Sequence, residues 1–225
     1  MPTAAPDRVP RFAPTREPVL ACRGWAGERG GLLLWGPLDL SVGPGEVLHL
    51  QGPNGCGKTT LLRTLAGLRE PAAAQASALC PDLWWIGHAN ALAEGLDAQF
   101  NLQLLLDVAG APPLSPSSLA HYLVAQGVPL GRPVAQLSVG QRRKLVLAPL
   151  ALAPRRLWLL DEPFDGLDVL ACDTLGELAA RHVVAGGAIV LTSHQPLPAR
   201  FPASAALVLR APAARLAPAS AVPSP

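Results

Sequence analysis

The sequence predicts an α/β fold, in which a mainly parallel sheet is covered by helices and interrupted by a helical insertion. Three observations carry that expectation. Short apolar runs of strand length alternate along the chain with segments of helical pattern. Two of these runs, Leu157 to Leu160 and Ala188 to Leu191, are apolar at every position, as in strands buried on both faces of a parallel sheet. The stretch from about 90 to 150 carries helical signals and no strong strand.

Taken in order, residues 1–17 are rich in Pro and Arg and read as a disordered extension. Residues 211–225 are rich in Ala, Pro and Ser and read as a disordered tail. Between them, residues 18–210 form one domain. Its expected strands are Val19 to Cys22, Leu32 to Trp35, Glu46 to Gln51 and Leu83 to Gly87, then Arg156 to Asp161, Ala188 to Thr192 and Ala206 to Leu209. A helix over Lys58 to Ala66 ends at Gly67. Ser115-Pro116 combines an N-cap with Pro at the first helical position, and that helix stops at Gly127. Ser138 can cap a helix toward Ala153, in which Pro149 would introduce a kink. A last helix runs from Asp168 to Val184 and ends at Gly186-Gly187.

The chain has 225 residues, half of them apolar, which is ample for a buried core. The net charge of +2 gives no electrostatic reason to expect nucleic acid or an anionic membrane surface as partner. Of 18 basic residues only Lys58 and Lys144 are lysines, so a lysine at 58 stands out against an Arg-biased background. Cys22, Cys56, Cys80 and Cys172 lie far apart, which argues against a zinc site or a disulfide framework and suits a reducing compartment. No secretory signal is expected, because no apolar stretch follows the charged N-terminal residues. The longest apolar stretch, Leu145 to Ala153, is too short to span a bilayer, so any membrane association is expected to go through a partner.

Two local motifs carry chemistry. Gly52-Pro53-Asn54-Gly55-Cys56-Gly57-Lys58-Thr59 follows a strand and opens a helix, the context of a phosphate-binding loop. Its glycines let backbone N–H groups converge on phosphate oxygens, and the helix N-terminus adds positive partial charge. Lys58 would neutralise the β- and γ-phosphates, and Thr59 would ligate Mg²⁺. Cys56 reads either as a reactive thiol or as a Ser-sized filler. Asp161 and Glu162 end a buried strand, and the carboxyl ends of parallel strands face the ligand crevice. Asp161 would hold Mg²⁺ through water, and Glu162 would act as general base toward the attacking water.

The order of phosphate loop, Leu137-Ser138-Val139-Gly140-Gln141, Leu159-Leu160-Asp161-Glu162-Pro163, Asp165-Gly166-Leu167-Asp168 and Thr192-Ser193-His194 resembles an ATP-binding-cassette (ABC) ATPase over roughly residues 19 to 210. The resemblance implies a P-loop NTPase core with an antiparallel N-terminal β subdomain and a helical insertion subdomain. It implies two subunits packed head to tail around two ATP molecules. Ser138 and Gly140 would then contact the γ-phosphate held by the opposite subunit, and Asp168 would cross the interface. His194 would contact the γ-phosphate in its own subunit, and Thr60 would belong to the nucleotide-binding set.

Within that family, Thr192-Ser193-His194-Gln195-Pro196-Leu197 and Trp85-Ile86-Gly87-His88 resemble the ATPase subunit of the haem exporters used in cytochrome c maturation, the CcmA type. That implies a peripheral ATPase on the cytoplasmic face of the bacterial inner membrane, bound to transmembrane permease subunits. No direct haem binding is expected, since His49, His88, His121, His182 and His194 form no pair at ligand spacing. Other readings are the ATPase of another small ABC exporter or a soluble assembly ATPase of the iron–sulfur type. Three positions depart from the family pattern: His88 where Gln is usual, Val139 where Gly is usual, and Pro149 where Arg is common. His88 is either a Mg²⁺ contact or a structural residue. An aromatic that stacks on adenine is expected upstream of the loop, with Trp25 as the candidate and Trp35 in the core.

Overall fold

The computed structural model describes residues 12, 13, 15 and 17–210. A five-stranded, wholly parallel sheet forms the centre, in the order β5 (Leu83–Ile86), β6 (Leu157–Leu160), β7 (Ala188–Thr192), β3 (Val47–Gln51) and β8 (Ala205–Val208). All residues of β6 and β7 are buried, because helices cover both faces. On one face, α1 (Lys58–Leu65) inserts Leu61, Leu62 and Leu65; on the other, α5 (Val169–Val184) inserts Leu175 and Ala179.

A second, antiparallel sheet has the order β2 (Leu32–Val42), β1 (Leu20–Arg29) and β4 (Ala76–Ala78). Both hairpin strands run further than the sequence predicts. The Gly36-Pro37 step, which ends the apolar run at Trp35, falls where the β1–β2 register shifts, between the pairs Trp25–Leu38 and Gly27–Trp35. At such a bulge the N–H that Pro lacks is not needed for the ladder. Strand β4 was not expected, since Ala-Ser-Ala has neither strand propensity nor a buried face.

The insertion contains α2 (Ala98–Val108), α3 (Pro116–Ala125) and α4 (Val139–Leu152), preceded by a short 3₁₀ turn at Val134–Gln136. Asp97, Ser115 and Ser138 each cap the helix that follows, accepting from Phe100, Ser118 and Gln141 N–H. These helices share a small core of their own, including Leu102, Leu106, Leu119, Leu123 and Leu145. Helix α4 continues through Pro149 to Leu152. The disorder expected for 211–225 and most of 1–17 lies outside the described residues. Phe12 is placed, and its N–H donates to Ala185 O at 3.0 Å.

His182 on α5 stacks on Trp158 of β6, with ring centroids 3.9 Å apart and planes at 10°. Its Nε2 lies 3.3 Å from Ala188 O. Burial pushes its pKa down from 6.5 to about 4, so the folded state holds a neutral ring. The unfolded chain therefore binds the extra proton between those two values, and stability present above pH 6.5 is lost as pH falls toward 4. We expect the melting temperature of the wild type to drop over that interval. His182→Phe keeps the stack and should flatten this part of the pH profile; an unchanged acid slope in the variant would contradict the assignment.

Candidate functional site

The carboxyl ends of β3, β6 and β7 meet at a cleft of about 370 Å³, lined among others by Asn54, Lys58, Thr59, Glu162 and His194. The turn after β3 is shaped by glycines that nothing else can replace. A Cβ on Gly52 (φ 140°) would lie 2.5 Å from Leu209 O, and one on Gly57 (φ 99°) 2.7 Å from the Trp35 ring. Lys58, first residue of α1 and 8% exposed, donates from Nζ to Gly52 O at 2.8 Å and Pro53 O at 3.3 Å. Cys56 is buried, and a Cβ on Gly52 would lie 2.9 Å from its Sγ. That burial suits the filler of the two readings.

A hydrogen-bond chain crosses the cleft floor. Thr59 Oγ1 donates to Asp161 Oδ2 at 2.9 Å, and Thr192 Oγ1 donates to Asp161 Oδ1 at 2.8 Å. Thr192 Oγ1 also accepts from Glu162 N at 2.9 Å. Glu162 Oε2 accepts from His194 N at 2.8 Å, and its Oε1 lies 3.3 Å from His194 Nε2. Glu162 is 7% exposed and is the one described non-glycine residue with positive φ, at 50°. Such a conformation costs about 1–3 kcal/mol and persists only where surrounding bonds enforce it, as they do here on both its N–H and its carboxylate.

The donors suit Mg²⁺. A hydroxyl (Thr59) and one carboxylate (Asp161) already share a hydrogen bond, so both can turn to one hard cation that takes its remaining ligands from phosphate and water. Among the described residues no group of three or more His, Cys, Asp or Glu side chains is placed to hold a metal. His88 lines the same cleft, and its Nδ1 lies 3.6 Å from Asp165 Oδ2. The structure thus gives His88 a carboxylate neighbour at the cleft rim.

Leu137 to Gln141 do not line this cleft. Ser138 starts α4 with a complete capping box: its Oγ accepts from Gln141 N at 3.2 Å, and its N–H donates to Gln141 Oε1 at 3.0 Å. Val139 beside it is 68% exposed. Asp168 caps α5 through Ala171 N at 2.7 Å and accepts from Lys144 Nζ at 3.2 Å. The backbone donor first, then Lys144, lowers its pKa.

Trp25 does not reach the cleft. It is 2% exposed and packed in the core with Trp35. The register shift after Cys22 turns its side chain inward, so no aromatic of this hairpin lines the nucleotide end; Arg29 and Leu34 do.

Two residues were missed in the sequence. Thr192 is fully buried at the end of an otherwise apolar strand, a polar side chain with no reason to be there except a partner. Arg143, 2% exposed, was given no role in the sequence. It stands three and four residues before Val146 and Leu147 and so shares their buried face, a periodicity that could have revealed it. Its guanidinium donates to the carbonyls of Gly87, Asp161, Glu162 and Pro163. Burial lowers its pKa, while Asp165, Asp161 and Glu162 oppose that.

Thr192→Val leaves a buried carboxylate short of a donor and Glu162 N without an acceptor. We expect about 1–3 kcal/mol less stability in denaturant unfolding and slower turnover at this cleft. Thr192→Ser should recover both; wild-type behaviour of the valine variant would show that the chain is dispensable.

The ABC transporter family model matches residues 36–83. The chain is 43% identical over 190 residues to a cytochrome c biogenesis ATP-binding export protein CcmA of Bordetella bronchiseptica, covering 79% of this chain and 83% of that protein. It is 42% identical over 185 residues to the protein of that name from Pseudomonas aeruginosa, covering 76% and 91%. Among solved structures, a putative ABC transporter ATP-binding protein from Pyrococcus furiosus superposes with a TM-score of 0.68 at 19% identity, over 84% of this chain and 96% of that one. The chain belongs to the ABC ATPase family, with the ATP-binding export proteins of the CcmA type.

Proposed function

We propose that this chain is the ATP-hydrolysing subunit of an inner-membrane haem exporter that serves cytochrome c maturation, and that it works as an ATP-dependent homodimer. The observation that carries the dimer is the separation of its two nucleotide-facing parts. The cleft holds Lys58, Thr59, Asp161, Glu162 and His194, whereas Ser138 and Val139 lie exposed at a helix start outside it. A helix start with a Ser hydroxyl and free N–H groups is an anion site. In a single copy that site has no ligand to meet; in a head-to-tail pair it faces the second copy's triphosphate.

In this reading the loop N–H groups and Lys58 bind the triphosphate, and Thr59 and Asp161 hold Mg²⁺. Mg²⁺ held there would offset the negative charge of the triphosphate. Glu162 takes a proton from the attacking water as its oxygen bonds to the γ-phosphorus and the bond to the β–γ bridging oxygen breaks, leaving ADP and phosphate. His194, set against Glu162, positions that water and the γ-phosphate. The strained backbone at Glu162 keeps its carboxylate aimed into the cleft.

In this reading a permease segment would take an apolar groove on the same domain. A groove of about 560 Å³ runs between sheet and insertion, lined by Trp84, Trp85, Leu105, Val146, Pro149 and Arg63. It shares Thr59, His88 and Asp161 with the nucleotide cleft, so an occupant bears on the ATP site. No helix among the described residues is long and apolar enough to cross a membrane. We therefore assign membrane attachment, on the cytoplasmic face, to a permease segment in this groove.

Glu162→Gln should bind ATP, lose at least ~100-fold in kcat, and accumulate as a dimer in ATP on size-exclusion chromatography. A variant that hydrolyses at the wild-type rate would remove Glu162 from the role of base. Leu105→Glu places a charge in the groove. It should leave ATP affinity unchanged and abolish recovery of the protein with native membranes; membrane recovery equal to wild type would place the permease elsewhere.

A further inference from the structure

Arg143 sits where three parts of the site converge, and it holds them with one rigid group. From α4 its Nε donates to Pro163 O at 3.2 Å, and Nη2 donates to Asp161 O at 3.1 Å and Glu162 O at 2.7 Å. Nη1 donates to Gly87 O at 2.9 Å and Asn90 Oδ1 at 3.4 Å. The carbonyls are those of the turn that carries the base and of the residue before His88. A planar fork of donors can reach all of them at once; an ammonium, with three donors on a point, cannot.

The same helix touches the same turn twice more. A Cβ on Gly140 would lie 2.8 Å from Gly166 O, and one on Gly166 2.7 Å from Val139 Cγ1, so the helix start and the turn interlock without spare room. Lys144 reaches Asp168 at 3.2 Å. Helix α4 is continuous from Val139, and Arg143 lies about 7 Å along it from Ser138 at the helical rise per residue. A shift of the helix start therefore moves the guanidinium, and with it the carbonyls of Asp161 and Glu162.

We infer that Arg143 is a positioning residue that joins Ser138–Gly140 of a protomer to Glu162 of the same protomer, so that each ATP in the dimer controls hydrolysis of the other. The partner's γ-phosphate engages the start of α4. Arg143 passes the resulting helix position to the turn, which sets Glu162 on the protomer's own ATP. This inference rests on the two-subunit reading above.

The test is steady-state ATP hydrolysis by the full chain and by Arg143→Lys, with fluorescent-ATP binding and thermal melting as controls. The wild type should show a Hill coefficient for ATP approaching about 2, the number of sites. Arg143→Lys should bind ATP with affinity within about twofold of wild type, lose tenfold or more in kcat, and fall to a Hill coefficient near 1. A residue needed only for folding would lower the melting temperature and scale the rate with the folded fraction, leaving the Hill coefficient alone. Wild-type kcat and Hill coefficient in a folded Arg143→Lys would overturn the inference. Should that variant not fold, Arg143→Gln keeps a planar donor against the turn; it should lower the Hill coefficient with ATP binding intact, and an unchanged coefficient would overturn the inference. Absence of an ATP-dependent dimer in Glu162→Gln would instead remove the two-subunit reading itself.

Discussion

A carboxylate taken out of water has to be met by donors, and the way Asp161 meets them organises this protein. It is 2% exposed. Its two oxygens accept from Thr59 at the start of α1 and from Thr192 at the end of β7. These hydroxyls come from chain positions more than a hundred residues apart, and the strand order β6-β7-β3 is what brings them to one carboxylate. The unusual backbone at Glu162 is stabilised from the same place, through Thr192 Oγ1. Without that hydroxyl, the pairing of β6 and β7 would still bury the strands but would not define where Glu162 stands.

Helix α4 belongs to two environments. Its start is exposed and closed by the Ser138–Gln141 capping box. One turn later it is buried to the point that a guanidinium is held by four backbone carbonyls and the Asn90 side chain. Helices in small insertions are usually held by apolar contacts alone, and this one has those as well, through Leu145 and Ala148 in the insertion and Val146, Leu147 and Leu150 against the sheet. The polar attachment adds direction. Apolar packing tolerates sliding, whereas a fork fixed on several carbonyls specifies one position.

Much of this was legible in the sequence, for a physical reason. Phosphate binding and base catalysis need particular residue types at adjacent positions, so Gly52 to Thr59 and Asp161-Glu162 are local statements. The doubly apolar strands β6 and β7 announced a covered parallel sheet for a similar reason. What was not legible depends on register and on distance. Trp25 is chemically fit to stack on a base, but a shift between Cys22 and Trp25 turns it into the core, and no residue pattern encodes that shift. Strand β4 exists only because β1 offers it an edge. Arg143 carried no signal of its role, since its acceptors are carbonyls, which have no letter in the sequence.

The strand order also bears on how the chain is made. Strand β3, which ends at the phosphate loop, lies between β7 and β8. Both neighbours come from the last part of the domain, Ala188–Thr192 and Ala205–Val208. As the chain leaves the ribosome, the loop residues are among the first to emerge, yet their supporting strand has two bare edges until almost all the rest has followed. Gly52 meets Leu209 O only then. The frame around the phosphate-loop motif is therefore complete only once β8 has joined β3, so a copy truncated before Ala205 carries the motif beside a bare strand edge.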